Sequence, residues 1–145
     1  MNVIGIDPGL RCTGLATFDG KTWDVRSIRS TERDLAARCE EIAASIPCAP
    51  VDLLVIERPQ VYQGRLQKGD PNDLVDLAVL VGVLLRHIPH VRALLPRPRD
   101  WKGQVPKDIH HRRLRARVPD LGPASKDAMD AVGLALWGWD QRSMT

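Results

Sequence analysis

The sequence predicts an α/β fold, a mixed five-stranded sheet flanked by helices, carried by a single domain over residues 1–145. Three observations lead there. Short β-branched runs at Val3–Ile6, Thr13–Phe18 and Thr22–Ile28 are separated by the turn signals Asp7-Pro8-Gly9 and Asp19-Gly20, the pattern of a three-stranded meander. An amphipathic stretch then leads into Val51–Glu57, a nearly continuous apolar run of the kind found in a parallel strand buried on both faces. Two strongly apolar helical stretches follow, at Leu74–His87 and after Ser125. At 43% hydrophobic content a normal core is expected, and 145 residues leave no room for a second full domain.

In the first strand, Asp7 stands at the last position, where Pro8 fixes one turn dihedral and Gly9 supplies either a positive φ or a close approach. An aspartate there can simply cap its own turn. A first helix is expected from Ser30-Thr31-Glu32-Arg33 to about Ser45, capped by Ser30 or Thr31, with Leu35, Ala36, Cys39, Ile42 and Ala43 on its buried face. Pro47 and Pro50 stop it. Glu57 ends the next strand as Asp7 ends the first, and a helical crossover between parallel neighbours would bring both carboxylates to the same sheet edge. Residues 60–72 lack any period and read as a mobile loop holding Tyr62, Arg65 and Lys68. Tyr62 can stack on a base or pack beneath its own loop.

The helix Leu74–His87, with Asn72 or Asp73 as cap, is apolar nearly all round yet too short for a membrane. It is expected to lie between the sheet and a second copy of itself, giving a homodimer. Val91–Leu95 forms the last strand, and Pro96–Lys107 a proline-rich basic loop. In a short helix from Asp108 to Arg117, Ile109, Leu114 and Val118 can pack inward while Arg112, Arg113, Arg115 and Arg117 fan outward. His110 and His111 are adjacent, diverge on a helix, and are read as solvent or phosphate contacts rather than a metal pair. The final helix begins at Ser125, its cap, and carries Asp127 and Asp130 on one face of its first turn.

Charge is distributed unevenly. Between Arg86 and Arg117 ten lysines and arginines face only Asp100 and Asp108, whereas the rest of the chain carries more acids than bases. Such a block suits a polyanion, most simply a nucleic-acid backbone. The N-terminus lacks the basic and long apolar regions of a secretory signal, no apolar run reaches the ~20 residues of a membrane span, and Cys12, Cys39 and Cys48 match no metal spacing. A cytoplasmic chain with reduced thiols is expected. Four carboxylates from three separated segments, Asp7, Glu57, Asp127 and Asp130, describe a hard oxygen site for Mg²⁺ or Mn²⁺, and beside a basic surface such a site serves in-line phosphodiester hydrolysis with two ions.

The segments Ile4–Gly14, Val55-Ile56-Glu57 and Asp127–Ala131 resemble, in order and separation, the three acidic motifs of the RuvC family of Holliday junction resolvases. The resemblance implies a ribonuclease H-like fold, Asp7, Glu57, Asp127 and Asp130 as the metal-binding catalytic set, and a homodimer that nicks a four-way DNA junction symmetrically. It also places Lys102 and Lys107 near the scissile phosphate; the basic segment and the polar loop themselves add Arg112, Arg113, Tyr62, Arg65 and Lys68 as candidate DNA contacts. Tyr62 comes later than the aromatic wedge of cellular members, and Arg58-Pro59 departs from their sequence. The short chain and its Trp101-Lys102 segment look more like bacteriophage resolvases, so a bacterial cell or phage-infected host is the expected setting. Two rivals share the sheet topology: a related nuclease acting on other branched DNA or on ribosomal precursor RNA, and the phosphate-binding turn of actin-like ATPases, which need two such domains.

Overall fold

The computed structural model describes residues 1–62, 64 and 69–142. Five strands, β1 (Val3–Asp7), β2 (Cys12–Phe18), β3 (Trp23–Arg29), β4 (Val51–Ile56) and β5 (His90–Leu94), form one sheet in the order β3-β2-β1-β4-β5. The meander pairs antiparallel, whereas β4 runs parallel to both β1 and β5. Helix α1 (Leu35–Ala44) makes the crossover from β3 to β4, and α2 (Pro71–His87) the one from β4 to β5.

Side-chain alternation divides the core into two layers. Ile4, Ile6, Leu54 and Ile56 face α1 and α2, packing with Ile42, Leu80 and Leu84. Val3, Leu53 and Val55 face the opposite way, toward α3 (Pro98–Trp101), α4 (Lys107–Arg117) and α5 (Lys126–Gln141), with Trp101, Leu114, Met129 and Leu134. Asp7 and Glu57 share the parity of Val3 and Val55, so both turn to the α5 layer. That parity decides on which side of the sheet the acids gather.

Several local expectations are corrected. Helix α1 starts later than expected because β3 continues to Arg29; its cap is Asp34, whose carboxylate accepts from the Ala37 amide at 2.9 Å. The Ser30 hydroxyl instead donates to the Glu41 carboxylate. Helix α2 begins at Pro71 with Asp70 as cap, ahead of Asn72 and Asp73, because proline at the first position sacrifices an amide that had no partner there. The stretch read as a loop before Lys102 contains the short helix α3, at whose start the Asp100 carboxylate accepts from the Arg97 amide at 2.8 Å. Along α4, Leu114 and Val118 are buried as expected, but Ile109 is exposed and His110 takes the inward place beside Trp101. Helix α2 buries Leu80, Val81 and Leu84 yet leaves Val75 and Val79 in solvent within the single chain, so it is not covered all round. No helix among the described residues is long and apolar enough to cross a membrane.

Candidate active site

The turn after β1 is built to hold Asp7 at the sheet edge. Thr13, fully buried, donates its hydroxyl hydrogen to the Gly9 carbonyl at 2.8 Å and accepts from the Gly9 amide at 3.3 Å. Gly9 does not adopt a positive φ; it is needed because a Cβ would fall 2.3 Å from the Cys12 carbonyl. Asp7 pairs across the strands with Gly14, and a Cβ on Gly14 would lie 2.0 Å from the Asp127 carbonyl. The first turn of α5 therefore rests directly on β2, one strand from Asp7. Ser125 caps that turn as expected, accepting from the Ala128 amide at 3.1 Å.

All four carboxylates named from the sequence are brought into one electrostatic neighbourhood. Burial first, and then the charges of Glu57, Asp130 and Asp127, push the Asp7 carboxyl up to about 8 from an ordinary 3.8, with Lys107 opposing. Asp130 is 2% exposed on the buried face of α5 and is held by two donors, Lys107 Nζ at 2.6 Å from Oδ2 and His111 Nε2 at 2.7 Å from Oδ1. Glu57 accepts from the Trp101 indole at 2.7 Å and lies 3.5 Å from Lys102 Nζ, both on Oε2. Asp127 meets the Cys12 thiol, which burial and this hydrogen bond together push up. Burial of the Lys107 ammonium is outweighed by the Asp130 hydrogen bond and the charges of Asp130, Asp7 and Asp127, so Lys107 titrates above its ordinary value.

Lys102 and Lys107 thus rest on the acids in the free chain. Arg112 and Arg113 are exposed on α4, and Tyr62 is 41% exposed beyond Glu57, whereas Arg65 and Lys68 lie outside the described residues. Elsewhere on the basic segment, Arg115 donates to the Gly122 carbonyl and Arg117 to Asp140, which ties those two to their own chain.

Two contacts escaped the sequence reading. His111, taken there for a solvent or phosphate contact, is instead the second donor to Asp130; its spacing of four from Lys107 puts both on one face of α4 and could have revealed it. Trp101 gave no comparable signal, because its direction depends on a helix hidden between prolines.

Among the described residues, no three His, Cys, Asp or Glu side chains stand close enough together to cage an ion as they are. The donor set nevertheless fits a hard divalent cation, for two reasons. Every acid contributes carboxylate oxygen, and Asp7 is forced toward protonation by burial first and then by like charges, which such a cation would offset. An open groove of about 550 Å³ adjoins Asp127, lined in part by Arg11, Arg38, Asp73 and Asp76.

Comparison with solved structures finds the same fold. Thermus thermophilus RuvC in complex with Holliday junction substrate superposes with a TM-score of 0.71 at 16% identity, covering 99% of this chain and 96% of that one. A second Thermus thermophilus RuvC structure gives a TM-score of 0.70 at 18% identity over the same shares. No protein-family model matches the chain, and no curated protein does. The sheet order and its flanking helices are those of the ribonuclease H-like fold of RuvC.

Proposed function

We propose that this chain is a divalent-metal-dependent endonuclease that resolves four-way DNA junctions by paired phosphodiester hydrolysis. The observation that carries the reading is the gathering of Asp7, Glu57, Asp127 and Asp130 at one sheet edge, where burial and the other three acids hold Asp7 near 8. A full-length likeness to a RuvC bound to Holliday junction substrate supports the choice of substrate.

Asp7, Glu57, Asp127 and Asp130 would hold Mg²⁺ or Mn²⁺, as two ions. When bound, such ions supply Lewis acidity to the scissile phosphate and its attacking water. In the overall reaction a P–O bond forms to the water oxygen and the P–O3′ bond breaks. The water yields its proton, and the 3′ oxygen takes one up.

The chain's own part is to place charge. Lys107, half exposed and now on Asp130, can swing its ammonium onto a non-bridging phosphoryl oxygen as negative charge develops there. His111 keeps Asp130 oriented when Lys107 leaves. Arg112 and Arg113 would extend the basic face from α4 along the DNA backbone, and in this reading Tyr62 stacks on a base at the junction. The exposed stripe Val75, Val79 and Gly82 on α2 is the face assigned to a second copy, which would present two sites to the two strands cut.

Replacement of Lys107 by Ala should slow single-turnover cleavage by about 10²-fold while changing junction affinity little. An equal loss of affinity and rate would make Lys107 a binding residue only. The reading as a whole is tested by incubating the protein and its Asp127→Asn variant with a labelled four-way junction, a linear duplex and a structured RNA, in Mg²⁺, in Mn²⁺ and in chelator. Paired symmetric nicks confined to the junction, lost in chelator and in the variant, are expected. Cleavage of RNA or duplex in preference would move the substrate to the rival nuclease reading.

A further inference from the structure

We propose that Trp101 is a positioning residue of the metal centre, its indole N–H fixing Glu57 so that the free carboxylate oxygen faces the cation; this rests on the metal-dependent reading above. Both described donors to Glu57 fall on Oε2, Trp101 Nε1 at 2.7 Å and Lys102 Nζ at 3.5 Å, which leaves Oε1 without a protein donor among the described residues. The two donors differ in kind. Lys102 brings a positive charge that competes with any cation for Glu57, whereas the indole is a neutral donor with no acceptor function. It orients the carboxylate and leaves its charge available.

The surroundings of the ring are arranged for that one bond. Trp101 is 8% exposed, and a buried indole N–H needs a partner. The ring meets His110 edge-on, with centroids 5.1 Å apart at 73°. Gly133 of α5 leaves room for it, since a Cβ there would fall 2.5 Å from ring atom Cζ3. The Asp100 carboxylate, accepting from both the amide and the guanidinium of Arg97, stabilises the single turn of α3 from which the ring projects. Lys102 lies over the ring face, its Nζ 4.8 Å from the centroid. Glu57 itself follows the end of β4 on a flexible side chain, so without the indole its carboxylate keeps, of its described donors, only the longer 3.5 Å contact to the Lys102 ammonium.

Outer donors to metal ligands contribute about 10- to 100-fold in metal affinity. Trp101→Phe keeps the ring's bulk and removes the N–H. Binding of Mn²⁺ to the DNA-free protein, read from the electron paramagnetic resonance of unbound Mn²⁺, should weaken about 10-fold or more. The thermal midpoint and junction binding in chelator should stay near wild type, and raising Mn²⁺ should restore much of the cleavage rate.

Unchanged Mn²⁺ affinity in Trp101→Phe would overturn the proposal alone, while absence of Mn²⁺ binding by the wild-type protein would overturn the metal reading with it. Should the variant not fold, the indole N–H resonances of the wild-type protein decide. One of the four should move when Mg²⁺ is added, and no movement in any of them would overturn the proposal.

Discussion

Asp7→Asn should abolish junction cleavage and, in chelator, make the protein more stable. The two effects have one cause. In the folded chain without metal, burial and the charges of Glu57, Asp130 and Asp127 raise the Asp7 carboxyl to about 8, whereas in the unfolded chain it ionises near 3.8. Below 3.8 both states hold the proton. Between 3.8 and about 8 the folded state retains a proton that the unfolded state has lost, so stability falls as pH rises and levels off above 8.

The slope attributable to Asp7 is at most about 1.4 kcal/mol per pH unit. Asparagine cannot ionise, so the difference between the variant's and the wild-type unfolding free energies should grow from pH 5 to pH 8 in chelator and reach a few kcal/mol. Saturating Mg²⁺ should reverse the order, since only the wild type gains the binding free energy in full. Loss of a ligand worth several kcal/mol of transition-state stabilisation corresponds to a rate at least about 10³-fold lower. If chelated wild type and variant showed the same pH dependence, Asp7 would not bear the repulsion of the acidic edge. A variant that cut near the native rate would remove it from the reacting centre.

The fold and the convergence of the four carboxylates were legible from the sequence because they depend on patterns that survive in one dimension. Alternation in Val3–Ile6 and the continuous apolar run before Glu57 fix strand type and face, and both acids fall at strand ends where a turn signal begins. Ser125 was legible as a cap because it stands alone before an apolar helix. Where polar candidates crowd together the choice failed. Asp34 won over Ser30 and Thr31, since a strand that runs on to Arg29 uses up the residues expected to turn. Asp70 won over Asn72 and Asp73, although Pro71 behind it was a usable sign.

The partners of the acids were least legible. Whether His110 or His111 reaches Asp130 depends on how α4 is rotated against α5, and the expectation that Ile109 faces inward put that rotation wrong. A helix as polar as α4 has too weak an apolar stripe to set its own rotation, and the inward side was decided by Leu114, Val118 and the space beside Trp101.

The distance between α5 and the sheet is the remaining determinant of the site; Gly5 sets it along the helix, and Gly14 sets it at the first turn that carries Asp127. Asp7 and Gly14 are register partners, and the Asp127 backbone occupies the volume where a Gly14 side chain would be, its carbonyl 2.0 Å and the Ala128 amide 2.9 Å from that Cβ. Gly14→Ala meets the Asp127–Ala128 peptide itself, a clash that no side-chain rotation can relieve. The clash must be met by lifting the first turn of α5 or by distorting β2, and either change disturbs apolar contacts along a helix whose inner face is buried from Ala128 to Leu136. Overpacking of this kind belongs to the large-effect class of substitutions, and a loss of about 3 kcal/mol, lowering the thermal midpoint on the order of 10 °C, is expected.

The activity should fall further than the folded fraction explains. Lifting α5 carries Asp127 and Asp130 away from Asp7 and Glu57 together, and a displacement of about 1 Å at a reacting centre can cost about 10²-fold in rate. Cleavage measured well below the variant's midpoint, where nearly all molecules are folded, therefore separates the two effects. A rate reduced about 10²-fold there would mean that α5 positions the acids through its seat on Gly14. A native rate with a lowered midpoint would mean that the seat supports the fold and that the acids keep their places by other contacts.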